Sequence, residues 1–120
     1  MKGRRTPTST TVILPAAGIG ARLSKGERKA WVSLAGRPLL TYALDTFRRH
    51  PAVTEIIVIA APEDMERARA LIRTGTTRVT EKVVTGGAVR RDSVWQGLQE
   101  LSAGTEIVLI HDAARPFISR

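Results

Sequence analysis

Apolar positions along the chain group into runs of two kinds. TVIL (11–14), EIIVIAA (55–61) and EIVLI (106–110) are short continuous blocks rich in β-branched residues and flanked by Pro, Gly or polar turns. Such blocks predict strands buried on both faces, and Thr80 to Thr85 reads as a further strand closed by Gly86–Gly87. Between them apolar residues recur at helical spacing. Over 39–49, Leu39, Leu40, Ala43, Leu44 and Phe47 share one face, Asp45, Arg48 and Arg49 face outward, and His50–Pro51 ends the helix. Pro62 opens a helix over 63–73 with Met65, Ala68, Leu71 and Ile72 inward. A third helix covers 90–101, with Val94, Gly97, Leu98 and Leu101 on one face. LAGRP (34–38) reads as a turn, and Pro38 suits the first position of the helix after it.

Apolar strands alternating with helices predict an α/β fold: a Rossmann-like parallel sheet with helices on both faces. Ligands in such sheets bind beyond the carboxyl ends of the strands. The two richest loops, 15–30 and 111–116, both follow strands and therefore belong to one rim. Residues 1–10 carry three basic residues, Lys2, Arg4 and Arg5, without apolar periodicity and read as a flexible basic leader; 11–120 reads as part of one domain.

Composition narrows the function. Hydrophobic residues at 42% and charged residues at 25% exclude wholesale disorder. No apolar run reaches the ~20 residues that span a bilayer, and no secretory signal precedes the first strand, so a cytoplasmic setting without membrane attachment is expected. The chain has no cysteine, which excludes disulfides and cysteine–zinc sites. Nineteen Lys and Arg against eleven Asp and Glu give a formal charge of +8 and point to an anionic partner. Aromatics at 4% are poor material for stacking bases, and no nucleic-acid motif appears, so a nucleic acid is not the expected partner.

The loops carry the chemistry. Gly18 and Gly20 form a Gly-x-Gly, but Leu23 stands where a dinucleotide fingerprint has its third Gly, and no Gly-Lys-Ser/Thr follows. What remains is glycine backbone open to a ligand beside Arg22, Lys25, Arg28 and Lys29, which suits a polyphosphate; a solvated basic turn is the alternative. Asp112 follows a strand and could hold a divalent cation, cap a helix or pair with Arg115. His111 reads as a packed histidine satisfied by backbone, His50 as structural, and Trp31 and Trp95 as core. GGAVRRDS offers glycine N–H groups, two Arg and a Ser hydroxyl, either as an anion or base pocket or as ordinary capping.

Taken in order, VILPAAGIGARL, Lys29, GRPLL, GGAVRRDSV and HDAARPF resemble the 2-C-methyl-D-erythritol 4-phosphate cytidylyltransferases, over about residues 11–118. The opening LPAAGxGxR is shared with many sugar nucleotidyltransferases; its combination with GGxxRxDSV and HDAARP is far more specific. The resemblance implies an enzyme that joins CTP to 2-C-methyl-D-erythritol 4-phosphate with Mg2+, releasing pyrophosphate, in isoprenoid precursor biosynthesis. It places Arg22 and Lys29 as the catalytic pair on the triphosphate. It places Pro15, Ala16, Ala17, Gly18, Gly20, Gly86, Gly87, Ala88 and Ser93 around the nucleotide, with Ala16, Ala17, Gly87 and Ser93 at the cytosine. Asp112 matches an acid near ribose and metal, and Arg115 a residue near the methylerythritol phosphate. The ribitol-5-phosphate cytidylyltransferases are a related alternative, as is a CTP- or polyphosphate-binding fragment without turnover.

Two departures accompany the resemblance. The family usually has Pro-Lys-Gln where this chain has Arg28-Lys29-Ala30. Its members also continue into a second half with later strands, a homodimer arm and part of the second-substrate pocket. The expectation is therefore a nucleotide-binding half, inactive or nearly so by itself, with a sheet edge that further strands normally cover.

Overall fold

The computed structural model describes residues 9–17, 28–75, 77–86 and 90–112. The expected leader lies mostly outside them. Four parallel strands form the central sheet: β1 (Thr10–Pro15), β4 (Val53–Ala60), β5 (Thr80–Thr85) and β6 (Ile107–Ile110). Their order is β5-β4-β1-β6. β1 pairs with β4 in register Ile13↔Ile57 and with β6 in register Ile13↔Ile110. The chain thus runs outward from β1 through β4 to β5, then returns to the other side of β1. That reversal makes a topological switch point between β1 and β6, where α/β sheets bind ligands.

Alternation along the strands divides the core between two faces. Val12, Leu14, Ile56, Val58 and Ala60 face α1 (Leu39–Arg48) and α2 (Met65–Leu71), with Leu40, Ala43, Leu44, Phe47 and Ala68 packed against them. Ile13, Ile57 and Ile59 face the other way and meet Leu98 of α3 (Arg90–Leu98) and Leu101. The helices therefore cover both faces, as the apolar patterning predicts. The expected turn at 34–38 is a small hairpin, β2 (Ser33–Leu34) with β3 (Arg37–Pro38). Its two central residues, Ala35 and Gly36, have φ of 54° and 82°, the signs a type I′ connection requires.

Three expectations are corrected. The run EIVLI forms an edge strand rather than a buried one: Ile107 is 50% exposed and Val108, Leu109 and Ile110 are exposed as well. Among the described residues β6 pairs only with β1, while α3 packs on β1, β4 and β5. Trp95 is 58% exposed, because it lies two residues from both inward-facing Ser93 and Gly97 and so falls on the far side of the helix. Arg48 does not face outward; its guanidinium lies over the amino end of β5, donating from Nε and Nη2 to both oxygens of buried Glu81 at 2.7 and 2.8 Å.

The amino end of the sheet is closed by further polar pairs. Buried Glu55 accepts hydrogen bonds from Thr11 Oγ1 (3.0 Å), Ser102 N (3.1 Å) and Ser102 Oγ (2.6 Å), and pairs with Lys82 Nζ at 2.8 Å. Burial by itself would raise the Glu55 carboxyl; the bonds from Lys82, Ser102 and Thr11 outweigh it and hold the group below the ordinary glutamate range. Arg78 donates to the carbonyls of Arg48, His50 and Val53, satisfying the end of α1 and the turn after it. The His50 ring supports that turn by accepting from the Ala52 N–H at 3.2 Å, as its structural reading expects.

Candidate functional site

At the carboxyl end the strand exits are tied together by backbone. Ala16 N donates to Ile59 O at 2.7 Å, and Gly86 N donates to Ala60 O at 2.8 Å. Ala16 and Ala17 are buried just beyond β1, and Pro15 is half-buried as its last residue. Gly86 leaves β5 at a point with no room for a side chain. A Cβ there would lie 2.5 Å from Ile59 Cγ2, 2.7 Å from Ser93 Oγ and 3.0 Å from Ala17 Cβ. The fold thus brings together Ala17, Gly86 and Ser93, which are far apart in sequence. Ser93 is fully buried in the first half of α3. Gly97, one turn later, sets the depth of that helix: a Cβ would stand 2.8 Å from Ile59 Cδ1 and 3.2 Å from Ile13 Cγ2. Small residues at these places let α3 and the strand exits pack closely on one another.

Lys29 begins a 3-10 turn, Lys29–Trp31. Its side chain is exposed, and among the described residues it makes no ion pair. Its neighbours are fixed. Trp31 N donates to Arg28 O at 2.9 Å, and Val32 N to Lys29 O at 3.1 Å. Buried Arg28 reaches Asp64 (3.1 Å) and Glu63 (2.8 Å) at the exit of β4. The Arg67 guanidinium lies 4.1 Å from the centre of the buried Trp31 ring and pairs with Asp64 at 2.8 Å.

On the other side of β1, His111 N donates to Ile13 O at 3.0 Å, and the His111 ring meets Phe47 edge-on, with centroids 5.2 Å apart. The ring contact matches the expected packed histidine, while the bond to Ile13 is made by its main chain. Asp112 follows, half-buried, at the rim beside β1. Among the described residues no group of three or more acids and histidines is arranged to hold a metal ion. The expected positions Gly18, Gly20, Arg22, Gly87, Ala88 and Arg115 lie outside the described residues.

Sequence reasoning missed the cluster around Asp64. Arg28 looks like one cation among many in a basic loop, and Asp64 like an ordinary acid after Pro62. Thirty-six positions separate them, and only the crossover to β4 makes them neighbours. The position of Asp64 immediately beyond an apolar strand was the one available signal.

Comparison with known proteins gives a consistent picture. The family model of 2-C-methyl-D-erythritol 4-phosphate cytidylyltransferase matches residues 10–120. A bifunctional enzyme IspD/IspF of Desulforudis audaxviator is 45% identical over 112 residues, covering 92% of this chain and 28% of that protein. A 2-C-methyl-D-erythritol 4-phosphate cytidylyltransferase of Alkaliphilus metalliredigens is 39% identical over 114 residues, covering 94% of this chain and 47% of that protein. Among solved structures, the 4-diphosphocytidyl-2C-methyl-D-erythritol synthase of Anaerococcus prevotii superposes with a TM-score of 0.76 at 29% identity, covering 92% of this chain and 45% of that one. The chain spans at most about half the length of these relatives.

Proposed function

The chain belongs to the 2-C-methyl-D-erythritol 4-phosphate cytidylyltransferase family, and on that premise we propose that it supplies the CTP-binding part of an enzyme joining CTP to 2-C-methyl-D-erythritol 4-phosphate. The products are the CDP-linked methylerythritol and pyrophosphate. The observation that carries this reading is the convergence of Ala17, Gly86 and Ser93 at the carboxyl ends of β1, β4 and β5. Cytosine is a flat, neutral ring with a distinct hydrogen-bonding edge. A floor of small residues suits it, and the family resemblance assigns Ala16, Gly87 and Ala88 to the same base pocket. The resemblance assigns Pro15, Gly18 and Gly20 to the nucleotide as well.

The chemistry needs charge more than proton transfer. A phosphate monoester oxygen is already ionised near neutral pH and attacks the α-phosphorus without a general base. The barrier lies in bringing two anions together and stabilising the extra negative charge of the transition state. Lys29 and Arg22 are the cations assigned to the triphosphate, and Arg115 the cation assigned to the second substrate. Lys29 is suited to this by exposure and by the absence of a competing carboxylate among the described residues.

A divalent cation, Mg2+ in this reading, fits Asp112. Such an ion often takes only one or two protein carboxylates and completes its shell with phosphate oxygens and water, so a single acid at the rim suffices. Bound there, it supplies charge neutralisation on the phosphates.

Calorimetric titration of the chain with CTP, UTP, ATP, GTP and NAD in magnesium buffer tests the reading. Selective binding of CTP is expected. A folded chain that binds none of them, or all alike, contradicts it.

A further inference from the structure

We infer that Asp64 is a positioning residue for Lys29. The inference rests on the reading above, in which Lys29 contacts the nucleotide phosphates. Lys29 lies exposed between two buried, anchored residues, and one carboxylate restrains both. Asp64 Oδ2 accepts from Arg28 Nη1 at 3.1 Å, holding the residue before Lys29. Asp64 Oδ1 accepts from Arg67 Nε and Nη2 at 3.1 and 2.8 Å, and the same guanidinium covers the Trp31 ring, two residues after Lys29. Asp64 is itself 3% exposed, and its own N–H is fixed to Ala61 O at 2.8 Å, directly beyond β4. The turn that carries Lys29 is thereby fastened to the strand beside β1.

Charge balance makes the arrangement useful. Among the described residues, Arg28 and Arg67 face Asp64 and Glu63, two cations against two carboxylates. Among the described residues none of these four groups pairs with the Lys29 ammonium, whose side chain is exposed. A lysine has a long flexible stem, so where its ammonium can reach depends on how firmly its main chain is held. Arg28 has the extended backbone, φ −70° and ψ 142°, that starts the turn in the required direction.

The test compares Asp64→Asn with the unaltered chain in amide hydrogen exchange and in binding of CTP and of cytidine. The N–H groups of Trp31 and Val32, which close the turn, are expected to exchange roughly tenfold faster in Asp64→Asn, with the sheet amides of Ile13 and Ile57 unchanged. CTP affinity is expected to fall roughly tenfold with cytidine affinity unchanged, and Lys29→Ala added to Asp64→Asn should cost little more, because the two changes remove one interaction. Unchanged exchange at Trp31 and Val32 overturns the inference. Equal loss of CTP and cytidine also overturns it, since that is general loosening. Should Asp64→Asn fail to fold, Arg67→Met cuts half the clamp from the surface; faster exchange at Trp31 supports the inference and unchanged exchange overturns it. A Lys29→Ala chain that binds CTP as tightly as the original overturns the phosphate reading instead, and the exchange data still decide the clamp.

Discussion

The two ends of the sheet handle polar groups in opposite ways. At the amino end, charged side chains satisfy one another: Glu55 with Lys82 and Ser102, Arg48 with Glu81, Arg78 with three or more carbonyls. At the carboxyl end β1 and β5 exit into Ala16, Ala17 and Gly86, and the paired charges of Arg28, Asp64 and Arg67 anchor the residues on either side of an exposed lysine. One end uses polar chemistry to hold the fold. The other keeps side chains small and, among the described residues, leaves Lys29 exposed, as the proposed site for an anionic ligand needs. Substitutions at the amino end should therefore move stability and not binding, and substitutions at the carboxyl end should move binding more than stability.

Glu55→Ala is the strongest way to break the first half of that contrast. It strands a buried set of donors, and a loss of about 3 kcal/mol in urea unfolding is expected, with CTP affinity of the folded fraction unchanged. Gly86→Ala probes the other end. The new methyl would press on Ile59, Ser93 and Ala17, so roughly 1–3 kcal/mol of stability should be lost, together with both CTP and cytidine binding. Normal cytidine affinity in Gly86→Ala would remove that position from the base site.

Acid sharpens the contrast further. The Glu55 carboxyl in the folded chain titrates below its ordinary value of 4.5, so its contribution is fully present above that value and is lost as the pH falls through the lower folded one. As the pH falls below 4.5 the original chain should lose stability more steeply than Glu55→Gln, measured by thermal melting. Parallel curves would mean Glu55 titrates as it does unfolded. The smallest expected stability effect is at Lys29→Ala, within about 0.5 kcal/mol, because the side chain is exposed and unpaired among the described residues. Its CTP affinity should nonetheless fall clearly.

Much of this was legible in the sequence, for a physical reason. Continuous apolar runs such as EIIVIAA report burial on both faces, and Pro62 and Pro38 mark where helices begin, so strands, helices and their layering follow from local pattern. The rim follows too, since both rich loops come after parallel strands. EIVLI misled because its composition records what a strand is suited to, whereas its exposure depends on which elements stand beside it. The pairs Arg48–Glu81 and Arg28–Asp64 were invisible because they join residues 33 and 36 positions apart, with nothing in the intervening pattern to announce the contact. The convergence of Ala17, Gly86 and Ser93 came through the family resemblance; periodicity has no access to it.

The most direct test of the contrast between the two ends is an amide chemical-shift map of the chain titrated with CTP in magnesium buffer. The account predicts shifts concentrated at Ala16, Ala17, Lys29, Gly86 and Ser93, with Glu55, Arg78 and Ser102 unmoved. Shifts centred on the amino end, or none in a folded chain at saturating CTP, would contradict it.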